Sequence, residues 1–310
     1  MTDSTELSRR GLLAASAALA AGASRAQTSS PAPPWHGYCL NLGTLRAFGL
    51  PIEEELVIAA QAGYRAVEPW VDNVRRWQVG GRSLDELRRR IADLGLAVPS
   101  AVGFARWLVD DDTARAKGLE QAKADLELVK AIGGTALAAP PSGATGKPVE
   151  VRVAAERYQA LLALAEPTGV AAQLEIWGAS AALGRLSEAL AIAVEAGHPG
   201  ACVLPDVYHL HRGGSPCAGL RLLSGPAMRV LHVNDYPADP PREKLTDRDR
   251  LLPGDGVAPW GEILAALRAR GGHTWLSLEL FPPRAQGETA LDRAKRGLAK
   301  LQAVVAQAAG

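Results

Sequence analysis

From Trp35 onward, short apolar runs alternate with longer segments whose apolar residues recur at helical spacing, which restricts the chain to a parallel sheet with crossover helices. Eight such units can be counted. The runs are Gly37–Leu42, Ala66–Trp70, Ala97–Val102, Ala136–Ala139, Ala171–Ile176, Ala201–Asp206, Val230–Asn234 and Trp275–Leu280. Helical patterns occupy Ile52–Ala62, Leu84–Leu94, Ala114–Ile132, Val151–Pro167, Leu183–Ala196, Pro259–Arg270 and Leu291–Ala308, with a short, weak sixth unit around Gly219–Ser224. Gly63, Gly95, Gly133, Gly169, Gly197 and Gly271 follow helices at the position of a left-handed C-cap. The runs are rich in Val, Leu and Ala without polar alternation, as a sheet covered on both faces requires. Eight strands, each followed by a helix, close into a single (β/α)8 barrel over residues 35–310, an α/β fold.

The first residues carry a different signal. Ser8-Arg9-Arg10-Gly11-Leu12-Leu13 is a twin-arginine pattern running into an alanine-rich stretch, and Ser24-Arg25-Ala26 supplies small residues for cleavage. The apolar run is too short for a stable membrane anchor. The expectation is a twin-arginine signal peptide over residues 1–26, a disordered leader over 27–34, passage through the twin-arginine translocase and a periplasmic or otherwise exported location. Lys and Arg total 34 against 33 Asp and Glu, and the chain beyond residue 26 is near neutral. Nucleic-acid binding, which needs a basic excess, is excluded on that balance. Cys39, Cys202 and Cys217 are odd in number and lack metal-type spacing, so one bridge at most is available.

In a (β/α)8 barrel, reactive side chains come from the C-terminal ends of strands. Four runs end in residues that bind metals: Glu175, Asp206, His232 and Glu279. Each is ionisable within an apolar run, and burying such a charge is costly unless a partner or a cation neutralises it. A single shared divalent ion removes that cost for all four. Three carboxylates with one imidazole suit Mn2+, Mg2+ or Co2+, and Zn2+ remains open.

Leu174-Glu175, Asp206-Val207-Tyr208-His209, Leu231-His232-Val233-Asn234-Asp235, Leu252-Pro253-Gly254-Asp255-Gly256 and Leu278-Glu279 together resemble the sugar phosphate isomerase/epimerase group of the xylose isomerase-like TIM barrels. The resemblance covers nearly all of the chain beyond the leader. It implies that Glu175, Asp206, His232 and Glu279 hold the metal, that the two glutamates also move protons, and that His209 binds substrate. Two positions depart from the tagatose-type epimerases: Ala238 stands where an arginine follows the metal histidine, and Ala181 where a carboxylate follows the first glutamate. The nearest arginines are Arg242 and Arg248, in the long loop Tyr236–Pro259.

Such a site removes a proton from the carbon next to a carbonyl, and a divalent ion stabilises the resulting enediolate. The expected activity is isomerisation or epimerisation of an unphosphorylated keto-sugar, with Glu175 and Glu279 catalytic. Elimination from keto-sugars or 3-keto-glycosides, as a dehydratase or lyase, is the alternative outcome; a non-catalytic exported sugar-binding barrel is the rival of another class. An apurinic-site endonuclease would need more metal ligands than six histidines and a neutral surface supply. Further candidate substrate contacts are Glu68, Trp70, Trp177, Asn41 and Arg242. Glu68 reads equally as an internal salt-bridge partner, the two tryptophans as loop packing and Asn41 as a loop cap. Asp235 reads as a structural neighbour of the metal histidine, and Leu252–Gly256 as a rigid turn. His36, His198 and His273 read as structural and His211 as a loop residue, and self-association through a barrel face is a possibility that the resemblance raises.

Overall fold

The computed structural model describes residues 35–270 and 273–308. The signal and leader expectations for residues 1–34, and the C-cap expected at Gly271, lie outside the described residues. Eight short strands alternate with helices: β1 (Gly37–Asn41), α1 (Ile52–Ala62), β2 (Ala66–Glu68), α2 (Val71–Val79), α3 (Leu84–Asp93), β3 (Ala101–Val102), α4 (Asp112–Ala131), β4 (Ala136–Ala139), α5 (Val151–Ala165), β5 (Ala171–Glu175), α6 (Leu186–Glu195), β6 (Cys202–Leu204), α7 (Val207–Arg212), β7 (Val230–Val233), α8 (Trp260–Ala269), β8 (Trp275–Leu278) and α9 (Ala290–Gln307). All ladders are parallel. One arc runs β2-β1-β8-β7 and the other β3-β4-β5-β6. Single bridges at Ala66–Ala97 and Trp70–Val102, and at Asp206–His232, join the arcs and close the barrel. Among the described residues, no helix is long and apolar enough to cross a membrane.

Most strands stop one or two residues short of their apolar runs, and in three of them a proline interrupts the run. Pro69, Pro99 and Pro205 have no N–H to give to a ladder, so β2 ends at Glu68, β3 is reduced to Ala101–Val102 and β6 ends at Leu204. α2 was not expected from the sequence; it starts directly after β2 with Trp70 at its N-cap and no side-chain cap bond. The weak sixth unit is a 3-10 turn at Cys217–Leu222, while the helix following β6 is the short α7. Asp206 starts α7 by accepting the His209 N–H at 2.7 Å. The three cysteines are buried free thiols.

Period-2 alternation decides what faces the barrel interior. Asn41 pairs in register with Glu68, His232 with Ser277, and Asp206 bridges to His232. Polar side chains therefore share one layer near the strand C-termini, above a core of aliphatic residues such as Leu40, Leu174 and Leu231 packed under the helices.

The long loop after β7 is organised by one carboxylate. Asp235 is fully buried and accepts from the N–H groups of Tyr236 (2.9 Å), Gly254 (2.8 Å) and Ala258 (2.8 Å) and from the Trp260 indole (3.0 Å). Its own backbone exchanges two 2.8 Å bonds with Leu251. A Cβ at Gly256 would run into the Tyr236 carbonyl and the Asp235 carboxylate, so only glycine fits that crossing. The turn at Leu252–Gly256 thus has a structural anchor. Replacing Asp235 with Ala strands four donors, and buried unpaired donors cost about 1–3 kcal/mol each. The expected outcome for Asp235→Ala is a loss of about 3 kcal/mol in urea unfolding; a loss under about 1 kcal/mol would show that the carboxylate does not anchor the loop.

Candidate metal centre

Glu175 ends β5, Asp206 follows β6, His232 lies in β7 and Glu279 follows β8. Ligand atoms of Glu175, His232 and Glu279 all lie within 4.8 Å of one another, and all three side chains are buried. Asp206 adds an oxygen 3.9 Å from His232 Nδ1, the same nitrogen that lies 4.0 Å from Glu175 Oε1 and 3.3 Å from Glu279 Oε2. The four residues expected at the strand ends are therefore brought to one point.

The orientation of His232 is set from below. Its Nε2 lies 2.8 Å from Glu68 Oε2, an oxygen that also accepts from Asn41 Nδ2 at 3.0 Å and Ser277 Oγ at 2.8 Å. Burial alone would raise the Glu68 pKa, but the charge and hydrogen bond of His232 and the surrounding hydroxyls bring it below the usual carboxylate range. An ionised Glu68 can only accept, so Nε2 carries the hydrogen and Nδ1 is the atom turned towards the carboxylates. That Nδ1 and Glu175 Oε2 are both buried without a hydrogen-bond partner.

Buried polar atoms without a partner among convergent carboxylates are what a cation would satisfy, so the residues fit a divalent ion. Protons partly serve the same purpose. Burial favours neutral His232, yet the charges of Glu279 and Glu68 outweigh it and push its pKa well up. Burial, resisted by His232 and reinforced by Glu279, pushes Glu175 up to about 8. Asp206 goes the other way: burial would raise it, but Arg250, His209 and His232 hold it at about 2.

Arg250 is the site residue that sequence reasoning missed. It is 4% exposed, and Nη1 donates to Asp206 Oδ2 (2.7 Å) and Glu279 Oε2 (2.9 Å). Nη2 donates to Asp247 (3.1 Å) and lies 3.0 Å from His209 Nε2. Arg242, expected as a substrate contact, is instead half-exposed and pairs with Glu243 at 2.7 Å, away from the cluster. No sequence signal marked Arg250, because the pairing of its neighbour Leu251 with Asp235 appears only in the structure.

Above the cluster lies a cavity of about 460 Å³ lined by Glu175, Glu279, His209, Arg250, Trp70 and Trp177, among others. His209 is neutral there, its pKa held near 4 by burial, and its Nδ1 accepts the Gly178 N–H at 3.2 Å. Asn41 and Glu68 were expected at the substrate, but both are fully buried beneath the cavity and neither lines it. Asn41 instead ties Glu68 to Glu279 (3.0 Å each) and accepts the Trp70 indole N–H at 2.9 Å. The other histidines have local partners: His211 stacks on Tyr236, His36 on His273, and His198 accepts from Gly200. A larger surface cavity, about 670 Å³ between α1 and α2, holds no metal-type cluster among the described residues.

Removing one partner of a buried ion pair costs about 3–5 kcal/mol because the other charge stays buried. Arg250→Met is accordingly expected to lower the urea-unfolding stability of chelator-treated protein by about 3 kcal/mol; an unchanged midpoint would mean that Arg250 does not neutralise Asp206 and Glu279.

The sequence pattern of the xylose isomerase-like TIM barrel family matches residues 56–303. An inosose isomerase of Bacillus velezensis is 31% identical over 154 residues, which is 49% of this chain and 55% of that protein. The chain spans about half the length of the curated relatives it matches. The crystal structure of the IOLI protein with a bound zinc atom superposes with a TM-score of 0.74 at 22% identity, covering 88% of this chain and 97% of the other. The structure of an L-ribulose 3-epimerase gives a TM-score of 0.71 at 20% identity, with coverage of 88% and 95%. At these identities the two structures establish a shared fold, and with the match over residues 56–303 the chain belongs to the xylose isomerase-like TIM barrel family.

Proposed function

We propose that this protein is a divalent-metal-dependent isomerase or epimerase that transfers a proton next to the carbonyl of an unphosphorylated keto-sugar. The observation that carries the reading is the buried cluster of Glu175, Asp206, His232 and Glu279, with the bare Nδ1 of His232 directed into it by Glu68. The names of the relatives support it: inosose isomerases in sequence, a sugar 3-epimerase in fold. Three carboxylates and one imidazole would hold Mn2+, Mg2+ or Co2+, and the zinc of the IOLI protein makes Zn2+ a further candidate. When bound, the ion would polarise the carbonyl and stabilise the negative charge that grows on its oxygen.

The chain's own residues do the rest. Glu175 belongs to the cluster and lines the cavity, where it is placed to take a proton from the substrate carbon and to give it back. Glu279 is the second proton carrier, and return of the proton by the other glutamate yields the epimer, or the isomer if it lands on the neighbouring carbon. His209 lines the same cavity as a substrate contact, and Arg250, whose N–H groups are committed to Asp206, Glu279, Asp247 and His209, holds that wall in place. The pair of candidate proton carriers favours an enzyme over a sugar-binding barrel. The reading includes export through the twin-arginine translocase, supported by Ser8-Arg9-Arg10-Gly11 and the alanine-rich stretch after it. An exported enzyme meets few phosphorylated sugars, and no lysine-bearing phosphate loop is present in the sequence.

Metal analysis of the purified protein, together with solvent deuterium incorporation into a panel of unphosphorylated keto-sugars, tests this directly. One divalent ion per chain and exchange next to the carbonyl are expected, with exchange about 1,000-fold slower in Glu279→Gln. Protein that takes up no divalent ion would overturn the reading, and bound metal with no exchange would leave a binding protein.

Glu68→Gln preserves shape but reverses the acceptor that fixes the His232 tautomer. Its metal affinity, read by competition with a chelating dye, is expected to fall about 10- to 100-fold; undiminished affinity would remove Glu68 from this role. Metal entry must also displace the protons on His232 and Glu175, both pushed upward. Below both pKa values the apparent affinity is expected to rise about 100-fold per pH unit, and less steeply above about pH 8, where Glu175 no longer holds its proton. A pH-independent affinity between about pH 6 and pH 8 would contradict that exchange.

A further inference from the structure

The floor of the cavity is polar and charged, but one wall is not. Phe281, Trp70, Phe104 and Trp177 form a continuous arc, with ring centroids 6.1, 4.9 and 6.3 Å apart along the series and interplanar angles of 79°, 56° and 48°. These are the tilted geometries that aromatic pairs favour, so each ring fixes the next. Trp70 is further held by its bond to Asn41 and by the Arg46 guanidinium 4.0 Å from its ring centre. None of the four rings is fully buried, and Val102 extends the apolar surface. Two of the chain's three phenylalanines are committed to this one wall, which sets it apart from incidental loop packing.

Polar side chains away from the floor are few: Thr145, Ser180 and Asp247. Asp247 accepts from Arg250, and Ser180 Oγ accepts the N–H groups of Ala182 and Leu183 at 3.1 and 3.3 Å. A second sugar ring placed there would find few partners for its hydroxyls, whereas an apolar ring would cover exposed aromatic surface. The volume of about 460 Å³ falls in the range of pockets for drug-sized ligands, roughly 300–1,000 Å³, and one sugar ring is smaller than such a ligand.

We infer that the substrate is a sugar bearing a ring-sized apolar substituent, an aryl glycoside in carbonyl-bearing form, with the sugar over the metal cluster and the aryl group on the aromatic arc. This rests on the carbohydrate reading of the site proposed above. Phe104 is the residue that isolates the claim, because its ring partners on the arc are Trp70 and Trp177 and it carries no titratable group.

The test is calorimetric titration of the full, metal-loaded chain with phenyl β-D-glucoside, methyl β-D-glucoside, cellobiose and phenol. Phenyl glucoside is expected to bind about tenfold more tightly than methyl glucoside and than cellobiose, and phenol alone more weakly than phenyl glucoside. Phe104→Leu keeps apolar bulk and should reduce the phenyl-over-methyl preference to about threefold or less, while Phe104→Tyr retains it. Equal binding of the phenyl and methyl glucosides, cellobiose matching the phenyl glucoside, phenol matching it, or a preference unmoved in Phe104→Leu would each overturn the aryl-glycoside assignment alone. Absence of binding by all three glycosides would overturn this inference, and the deuterium-exchange measurement on keto-sugars stands as the separate check on the carbohydrate reading and on proton transfer.

Discussion

One oxygen atom, Oε2 of Glu68, orders the rest of the site. It gathers three contacts, from His232, Asn41 and Ser277, contributed by three different strands. Because the carboxylate is buried and ionised, it forces those neighbours to act as donors. His232 consequently presents Nδ1 rather than Nε2 to the cluster, and Asn41 keeps its amide oxygen for the Trp70 indole and the Gly43 N–H. A single hydrogen-bond polarity thus runs from the barrel interior through the imidazole to the metal ligands and through Asn41 to the aromatic wall.

Charge explains why this arrangement can persist with and without a cation. Glu68, Glu175, Asp206 and Glu279 crowd one small volume against a single permanent cation, Arg250, whose charge Asp206 and Glu279 hold firmly in place. Without metal, a proton on His232 and another on Glu175 relieve the excess. A divalent ion that displaces both protons leaves the net charge of the cluster unchanged. Metal loading is then an exchange of two positive charges for two others within a fixed hydrogen-bond frame.

Much of this was legible in the sequence because strand ends are legible. Apolar runs and capping glycines marked the eight units, and Glu175, Asp206, His232 and Glu279 each sat at the end of one. Where the reading erred, the missing information was three-dimensional. The strands fell short where Pro69, Pro99 and Pro205 cut the ladders. α2 was hidden because it has no capping side chain and no linker before it. Glu68 and Asn41 look like cavity residues from their places at strand ends, and only the depth of their register shows that they lie below it. Arg242 and Arg248 were named and Arg250 was passed over because the loop that carries all three has no periodicity from which a register can be taken.

That loop joins stability to chemistry. Tyr236–Pro259 has to deliver a buried guanidinium to two carboxylates across a segment with little core of its own. Asp235 makes this possible by binding the loop where it leaves β7 and again where it returns at Gly254, Ala258 and Trp260, and its ladder with Leu251 fixes the residue next to Arg250. The position of Arg250 is therefore set by backbone contacts that exist before any metal or substrate arrives. The delivery of Arg250 thus depends on two features of loop 236–259, the acceptor Asp235 that holds its ends and the small Gly256 at its crossing.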